Sequence, residues 1–560
     1  MISQLRPASA GIFSLLNVRR FVLVLSLATA IGLLGCGGGG GGGGSGTGTS
    51  PVGPTIFSPR TDSLKVDIPA LSPGQMSSEI SFARQQLVMN LGSAVAGSVR
   101  GDLAADTATV RHFGLVVTTG STTGGSFRLQ GNGGGGVVLS SIRGDMSGSM
   151  RALAFPNQAL FDKMRNDRAH ANILAAKATG SRKSLRGAVS TAGEKIGDSV
   201  SFMLYSSSGL NGGNYTSRTG VLRRIGKTCK LFVDPDAYNG LSATVGTWTI
   251  TEEDLDIMMN RFDDFVYPLI TQNYGPTYDM DTDGHITIVL SPLVTQLGFA
   301  GLFDTEHLET RSAQHPNSNE RDMISVFTPN GSFNGTNWRN VALETTTHEF
   351  QHLANFVAHR FTNNLSFEED VWLDESLAVG AEARYRILVG DTAGEDRFRD
   401  YTRSMRNTSL VNFGSTLANY GAGGLFSHYM YERAGSDSIK AIVNSDYKGI
   451  DNVDHVAAPF GGFQGILRDW SVALFAECHK TLFDYTKLDA AHRYKVDLGL
   501  NLSQTTTHVS NLAAFETSIS PTSMSFAIIE VPVGASGNAA QLVLDDPDNG
   551  SMSATLIRLD

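Results

Sequence analysis

The sequence predicts an α+β protein, in which a central domain of mixed sheet and helices lies between two smaller β-rich segments. Short apolar runs typical of strands alternate with helical patterns between residues 193 and 490. Residues 51–150 and 491–560 instead show short alternating runs separated by Gly, Ser and Thr, which indicate β structure. A chain of 560 residues has room for these separate units.

The chain begins with the pattern of an export signal, residues 1–36. The apolar stretch Phe21–Leu34 follows two Arg residues and is too short for a membrane span. It runs into Leu33-Leu34-Gly35-Cys36, which resembles the bacterial lipobox, where the Cys is acylated and becomes the new N-terminus. Residues 37–50 open with eight consecutive Gly and form a flexible tether. We expect an exported lipoprotein anchored through Cys36, with the outer membrane as its destination. A plain secretory signal with an incidental Cys is the alternative.

Two different segments follow the tether. In the first β-rich segment, strands are expected at Phe113–Thr118 and Gly136–Ser140. Residues 151–192 have a helical composition with scattered basic residues, among them Arg165, and we interpret them as a linker helix with a solvated basic face. The alternative is the end of a propeptide, because Arg182-Lys183 beside Ser and Gly makes an accessible cleavage site.

The central domain, residues 193–490, combines strands and helices. A helix is expected after Thr251, which opens a capping-type box followed by apolar residues at a 3.6 period. Apolar runs at Ile466–Trp470 and Val472–Phe475 indicate a helical C-terminal part. The expected strands are Phe202–Tyr205, Leu231–Val233, Ile286–Leu290 and Met323–Phe327 in this domain, and Phe526–Val531 and Ala540–Leu544 in the C-terminal β domain.

The most informative stretch is His348-Glu349-Phe350-Gln351-His352. Side chains at i and i+4 share one face of a helix, so His348 and His352 can bind one cation together. Two imidazoles one turn apart are a standard pair of Zn²⁺ ligands, and the intervening Glu349 can act as general base toward a metal-bound water. A chance match on an ordinary amphipathic helix is the alternative. The absence of Gly and Pro between Trp338 and Arg360 favours a buried helix, in which His and Glu need partners.

A catalytic zinc site needs a third protein ligand and an open fourth position. Glu375 stands 23 residues beyond His352, early in an expected second helix. It is our candidate for that ligand. The neighbouring Asp374 either accepts a hydrogen bond from a metal-binding imidazole or caps the helix.

At this point the chain resembles the gluzincins, and within them the hyicolysin-like neutral metallopeptidases. The resemblance implies a zincin-like catalytic domain with a mixed sheet, with His348, His352 and Glu375 as Zn²⁺ ligands, Glu349 as the catalytic carboxylate, and a protein or peptide substrate. It covers residues 193–487 and is carried by the HEFQH motif, Trp372–Ala378, Tyr420–Tyr431, Ser318–Met323 and Lys227–Asp234.

Gluzincins also use a Tyr or His to donate a hydrogen bond to the tetrahedral oxyanion. We select Tyr420, because it precedes a Gly-rich helix start that could direct its hydroxyl into the cleft. His428 and Tyr429 are competitors, and packing of Tyr420 in the core is a further alternative.

A second cation is indicated by Asp279, Asp281 and Asp283, which alternate along the chain ahead of Gly284. This spacing resembles the first half of an EF-hand loop and makes Ca²⁺ a candidate cofactor. The twelfth position of such a loop is Leu290 rather than Glu, so a solvated turn is the alternative.

Charge and cysteine content limit the remaining classes. With 44 Lys and Arg against 54 Asp and Glu, the net charge of −10 argues against nucleic acid as a partner. If Cys36 is lipidated, Cys229 and Cys478 remain, either as one disulfide or as two buried thiols.

We therefore expect a lipid-anchored zinc endopeptidase that holds extended peptides along the strand at Met323–Phe327. One alternative is a surface-anchored binding or adhesion lipoprotein with a degenerate peptidase core. Another is a closed structural metal site, completed by a fourth ligand such as Glu382.

Overall fold

The computed structural model describes most of the chain from residue 63 onward. The export signal, Cys36 and the tether lie outside the described residues. Among the described helices, none is long and apolar enough to cross a bilayer. The described residues are 63–82, 85–95, 110–122, 125–131, 138–143, 155, 157, 158, 162, 165, 167, 169, 171, 190–206, 214–237, 250–365, 367–391, 396–414, 416–498, 500, 507–512, 514–532, 541–546 and 551–560.

Strands occur in three regions of the chain. They are β1 (Leu64–Asp67), β2 (Ile80–Phe82), β3 (Gln86–Asn90), β4 (Val110–Thr119), β5 (Gly125–Gly131), β6 (Val138–Arg143), β7 (Ser199–Tyr205), β8 (Tyr215–Ile225), β9 (Cys229–Val233), β10 (Ile286–Leu290), β11 (Gly301–Phe303), β12 (Met323–Val326), β13 (Thr507–Leu512), β14 (Ala514–Ile519), β15 (Met524–Pro532), β16 (Gln541–Asp545) and β17 (Met552–Arg558).

Most of the helices that the structure describes as whole elements lie between β9 and β13, interleaved with β10, β11 and β12. They are α1 (Gly92–Val95), α2 (Glu252–Arg261), α3 (Tyr267–Asn273), α4 (Pro292–Gln296), α5 (Gly335–Val357), α6 (Val371–Leu388), α7 (Asp396–Ser404), α8 (Leu417–Ala434), α9 (Ser436–Val443), α10 (Gly449–Val456) and α11 (Gly462–His479). π-helical turns follow α2 and α5, at Phe262–Val266 and Ala358–Thr362.

The two terminal β-rich segments share their sheets. One sheet has the order β1-β3-β16-β5-β14 and the other β13-β6-β15-β4-β17-β2. In the second sheet β4 pairs with β15 on one side and β17 on the other, so a strand of the N-terminal segment lies between two C-terminal strands. The terminal segments, which the sequence analysis treated separately, therefore form a joint β unit with one apolar core.

The central sheet has the order β11-β12-β10-β9-β8-β7. Strands β9, β10 and β12 are parallel to one another, whereas β7, β8 and β11 pair antiparallel, so the sheet is mixed as expected. The buried apolar runs of β9 and β10 match the expected strands at Leu231–Val233 and Ile286–Leu290. The expectation that Met323–Phe327 forms the exposed edge is wrong, because β11 pairs along the outer side of β12. On the β12 side of the sheet, the edge strand is β11.

Local signals in the central domain behave as the sequence indicates. Thr251 caps α2, since its hydroxyl accepts from the Asp254 N–H while the Asp254 carboxylate accepts from the Thr251 N–H. Cys229 and Cys478 are both buried and free. Burial raises the pKa of each thiol well above its ordinary value, so both are inert core groups.

Candidate metal centre

Helix α5 carries the HExxH motif through the interior of the protein. Every residue from Val341 to Val357 is buried, so the helix is covered all round rather than on a single apolar face. Within it, Thr346 and Thr347 return their hydroxyls to the carbonyls one turn earlier, which satisfies these polar groups locally. The remaining polar groups of the helix need partners from other elements.

The edge strand β11 approaches α5 closely at Gly301. A Cβ atom at Gly301 would lie 2.4 Å from Thr345 Cγ2 and 2.8 Å from Glu349 Cγ, closer than side chains tolerate. Two residues along the strand, the Phe303 N–H donates to Glu349 Oε2 at 2.8 Å. Glu349 Oε1 is buried and has no hydrogen-bond partner among the described residues. One oxygen of this carboxylate is therefore fixed by the strand, while the other is available to a ligand.

His348, His352 and Glu375 converge on one point between α5 and α6. The two Nε2 atoms are 3.0 Å apart, and the Glu375 carboxylate oxygens lie 3.3 Å from His348 Nε2 and 3.7 Å from His352 Nε2. One ligand atom from each residue lies within 4.8 Å of the other two, and all three residues are buried. Separations near 3 Å between donor atoms match ligands that share a cation with bonds of about 2 Å.

The other ring nitrogens of both imidazoles face carboxylates. His348 Nδ1 lies 2.7 Å from Glu382 Oε1, and His352 Nδ1 lies 2.9 Å from Asp374 Oδ2. A carboxylate at Nδ1 holds the proton there and directs the lone pair of Nε2 toward the shared point. Asp374 therefore orients His352, and the residue at the N-cap position of α6 is Asp370. This donor set of two imidazoles and one carboxylate fits Zn²⁺.

The charges around the centre favour a cation. Burial lowers the pKa of His348, but hydrogen bonds to Glu375 and Glu382 outweigh it and raise the pKa to about 10. Burial raises the pKa of Glu375, yet Arg165 and the two imidazoles hold it well below its ordinary value. The Glu375 carboxylate thus remains ionised and places a negative charge beside the Nε2 atoms.

Tyr420 and its two competitors occupy different places. The Tyr420 hydroxyl donates to Asp162 Oδ2, and burial with the charges of Asp162 and Glu375 raises the pKa of the phenol well above its usual range. Tyr429 donates to the Ala491 carbonyl at 2.5 Å. His428 stacks on Tyr494 and lies 3.4 Å from Glu432. Of these three side chains, Tyr420 is connected to the metal-ligand candidates, because its partner Asp162 contacts Arg165, and Arg165 contacts Glu375.

The side chains near the centre that the sequence did not predict come from residues 155–165, which we call the covering segment. The structure describes five of its residues, Phe155, Asn157, Gln158, Asp162 and Arg165. The expectation of a solvated basic face is wrong for Arg165, which is 5% exposed. Its guanidinium lies 2.6 Å from Glu375 Oε1 and 3.1 Å from Asp374 Oδ2. Gln158 accepts from the Ala300 N–H at 2.7 Å and donates to the Gly301 carbonyl at 3.2 Å. A composition with scattered basic residues carries no signal for such contacts.

The three alternating carboxylates ahead of β10 have different partners, although the Thr191 hydroxyl lies within hydrogen-bond distance of both Asp281 and Asp283. Asp283 accepts from Lys230 Nζ at 2.5 Å and from the Thr191 hydroxyl at 2.6 Å. Asp279 and Asp281 instead approach Asp322, and one oxygen of each of these three lies within 4.8 Å of the others. The expected set of Asp279, Asp281 and Asp283 stays a prediction, and the carboxylate group that the structure brings together contains Asp322 in place of Asp283.

Comparison with known proteins finds a distant relative. No protein-family model matches the sequence. The chain is 26% identical over 205 residues to the neutral metalloprotease ShpI of Staphylococcus hyicus, across 34% of this chain and 46% of that protein. The chain thus spans about half the length of the curated relative that it matches.

Among solved structures, the M1 zinc metallopeptidase of Deinococcus radiodurans aligns with 13% identity and a TM-score of 0.25, over 49% of this chain and 60% of that one. A mutant of the same enzyme gives a TM-score of 0.27. These scores are too low to establish a common fold.

Proposed function

We propose that this protein is an exported, lipid-anchored, zinc-dependent endopeptidase of the gluzincin type. The observation that carries the proposal is the convergence of His348 Nε2, His352 Nε2 and the Glu375 carboxylate beside the fixed carboxylate of Glu349. The similarity to a neutral metalloprotease supports a protein or peptide substrate. The lipid anchor rests on the lipobox pattern that ends at Cys36.

The contacts of Glu349 support its proposed role as the general base. Its Oε2 is held by the Phe303 N–H, and its Oε1 remains without a partner among the described residues. The free oxygen can take a proton from the attacking water and deliver it to the leaving amine. Zn²⁺ bound by His348, His352 and Glu375 would lower the pKa of that water and polarise the scissile carbonyl.

The substrate main chain has a natural docking edge on β11. The N–H and C=O groups of Gly301 are both hydrogen-bonded to Gln158 of the covering segment. They therefore point away from β12. An extended peptide can pair with the same groups by adding a strand to this edge. Tyr420, once released from Asp162, could donate to the oxyanion, a contact commonly worth roughly 10² to 10³ in rate.

A closed structural metal site is not favoured by the geometry. It would require a fourth protein ligand on the Nε2 side of the imidazoles, and Glu382 was the candidate. Glu382 instead contacts Nδ1 of His348 and pairs with Arg397 through both of its oxygens. Glu382 therefore lies on the Nδ1 side of the His348 ring, where a carboxylate commonly orients a metal-binding His.

The proposal is tested by zinc content together with casein cleavage, with and without a chelator. Glu349→Gln should keep about one zinc per chain and lose at least roughly 10²-fold in activity, because only the base is removed. His352→Ala should lose both zinc and activity. Glu344→Gln is the matched control, because Glu344 lies on the same helix and faces Arg386 instead of the centre.

Full proteolysis by Glu349→Gln would contradict the assigned role of this carboxylate. A protein that binds zinc but cleaves no casein under any of these conditions would favour the alternative of a binding lipoprotein with a degenerate core.

A further inference from the structure

A second carboxylate cluster lies where two neighbouring parallel strands begin. Asp279 and Asp281 precede β10, while Asp322 immediately precedes β12. At the beginnings of these strands, the Thr287 N–H donates a hydrogen bond of 3.0 Å to the Asp322 carbonyl. Because one oxygen from each of the three carboxylates lies within 4.8 Å of the others, they could all contact one ion.

Two of these carboxylates are buried with an unsatisfied oxygen. Asp281 and Asp322 are 1% and 2% exposed, and Oδ1 of each has no hydrogen-bond partner among the described residues. A buried carboxylate without a partner is costly, and two side by side add mutual repulsion. Burial and the neighbouring Asp281 raise the pKa of Asp322 well above its ordinary value.

The nearby cations are already engaged. Lys230 Nζ lies 2.5 Å from Asp283 and 3.0 Å from Glu194. Arg321 pairs with Glu194 through both terminal nitrogens and comes only to 3.9 Å from Asp281. The positive charges of Lys230 and Arg321 are thus paired mainly with Asp283 and Glu194. The three negative charges of the cluster therefore exceed the positive charge that the described cations bring to it, which is the 3.9 Å approach of Arg321 to Asp281.

We propose that Asp279, Asp281 and Asp322 bind a Ca²⁺ ion that joins the beginnings of β10 and β12. The donor set consists only of carboxylate oxygens, which Ca²⁺ prefers over the nitrogen and sulfur ligands typical of zinc. Ca–O bonds of about 2.3–2.6 Å place opposite ligands up to roughly 5 Å apart, which matches the spread of the three oxygens. The site is separate from the zinc ligands and uses none of their residues.

The test measures the melting temperature of the purified full-length protein at fixed zinc, after calcium removal and with CaCl₂ or MgCl₂ added. Wild type should gain on the order of 5 °C with millimolar Ca²⁺ and clearly less with Mg²⁺. Asp322→Asn keeps the side-chain volume but removes the charge. It should melt higher than calcium-free wild type and should show no gain with Ca²⁺.

Three control variants make the assignment specific. Asp279→Asn alters an exposed ligand, so the protein should fold and show a reduced gain with Ca²⁺. Asp283→Asn should retain the full Ca²⁺-dependent gain, because Lys230 rather than the cluster binds that carboxylate. Asp489→Asn changes an exposed carboxylate outside the cluster and should behave as wild type. No gain in wild type, an equal gain in Asp322→Asn, or an equal gain with Mg²⁺ would overturn the proposal.

A different observation concerns the covering segment. Asn157 and Gln158 bond to the main chain from Leu297 to Gly301, along the edge where we place the substrate. Asp162 holds the Tyr420 hydroxyl, and Arg165 pairs with Glu375. The side chains that a substrate must reach are buried, with His348 5% and Glu349 1% exposed. A substrate that pairs with Gly301 must first displace Gln158 from the same groups.

From these contacts we infer that the covering segment is an internal inhibitor of the proposed peptidase. The inference rests on the proposed function, since it explains how a complete centre is kept from substrate. Gln158 mimics the main-chain hydrogen bonds of a bound peptide, and Asp162 withholds the hydroxyl of Tyr420. Displacement of the segment would free both groups together.

Casein cleavage at equal zinc content tests the inference. Gln158→Ala removes the edge contacts together with the 2.9 Å hydrogen bond from Gln158 to Asp162. This variant and the double variant Asp162→Ala with Arg165→Ala should both cleave several-fold faster than wild type. Asp167→Ala, which changes an exposed residue two positions beyond the segment, should match wild type. Slower cleavage by Gln158→Ala with zinc retained would overturn the inhibitory role but leave the peptidase assignment intact. If every zinc-loaded form is inactive, both proposals fail.

Discussion

Replacement of Gly301 by Ala should damage catalysis without removing the metal ligands. The added Cβ would lie 2.4 Å from Thr345 Cγ2 and 2.8 Å from Glu349 Cγ, against about 3.5–4 Å for ordinary carbon contacts. Since both neighbours belong to a helix that is buried all round, the strand and the helix must separate by roughly 1 Å. Overpacking of this kind costs about 1–3 kcal/mol of unfolding free energy.

The catalytic effect should exceed the effect on stability. If Glu349 is the general base, as we propose, a displacement of about 1 Å at its carboxylate costs on the order of 10²-fold in rate, because it would no longer face the attacking water correctly. The assay is kcat/KM on a peptide substrate, with zinc content and melting temperature measured in parallel. We expect kcat/KM to fall roughly 10²-fold at unchanged zinc.

Gly193→Ala is the matched control, because its Cβ would meet no atom within 4 Å. Wild-type kcat/KM in Gly301→Ala, with zinc retained, would refute the inferred close approach of β11 to the catalytic carboxylate.

Three further predictions concern metal, packing and pH. Removal of zinc by a chelator should lower the melting temperature of wild type but not of His352→Ala, and added ZnCl₂ should restore it; equal sensitivity of both proteins would contradict the ligand assignment. Gly421→Ala would place a Cβ 1.9 Å from the Arg397 carbonyl, so calorimetry should show a melting temperature several degrees below that of Gly193→Ala. Burial lowers the pKa of His479 to about 4. Its Nε2 has no hydrogen-bond partner among the described residues. The unfolded chain therefore takes up a proton first as the pH falls from about 6.5 towards 4, and folding loses up to about 3 kcal/mol over that window. Urea unfolding at pH 7.5 and 4.5 should show a smaller loss in His479→Gln, and an equal loss would remove His479 as the cause.

Elements that depend on local patterns were predictable. The i, i+4 spacing of His348 and His352 needs only a helix to place both rings on one face, and the structure has that helix. The apolar run Ile286–Leu290 and the box at Thr251 likewise report on one element and its own hydrogen bonds. In each case a few neighbouring residues decide the outcome.

Contacts between distant segments were not predictable in the same way. The alternating carboxylates suggested Asp283 as a third calcium ligand. The parallel pairing of β10 with β12 brings Asp322 beside Asp279 and Asp281, and Lys230 pairs with Asp283. Likewise the basic composition around Arg165 indicated a solvent-facing helix, whereas the fold turns this residue onto Glu375.

By itself, the amino-acid sequence determined the helix that presents two imidazoles and a carboxylate, and the buried strands beside it. Only the tertiary structure decided that β11 is the edge strand beside β12, that the terminal segments share two sheets, and that the covering segment contacts β11 and Glu375. The physical reason is that periodicity reports which face of one element is apolar. The partner of that face depends on sheet order and packing, which no local run of residues encodes.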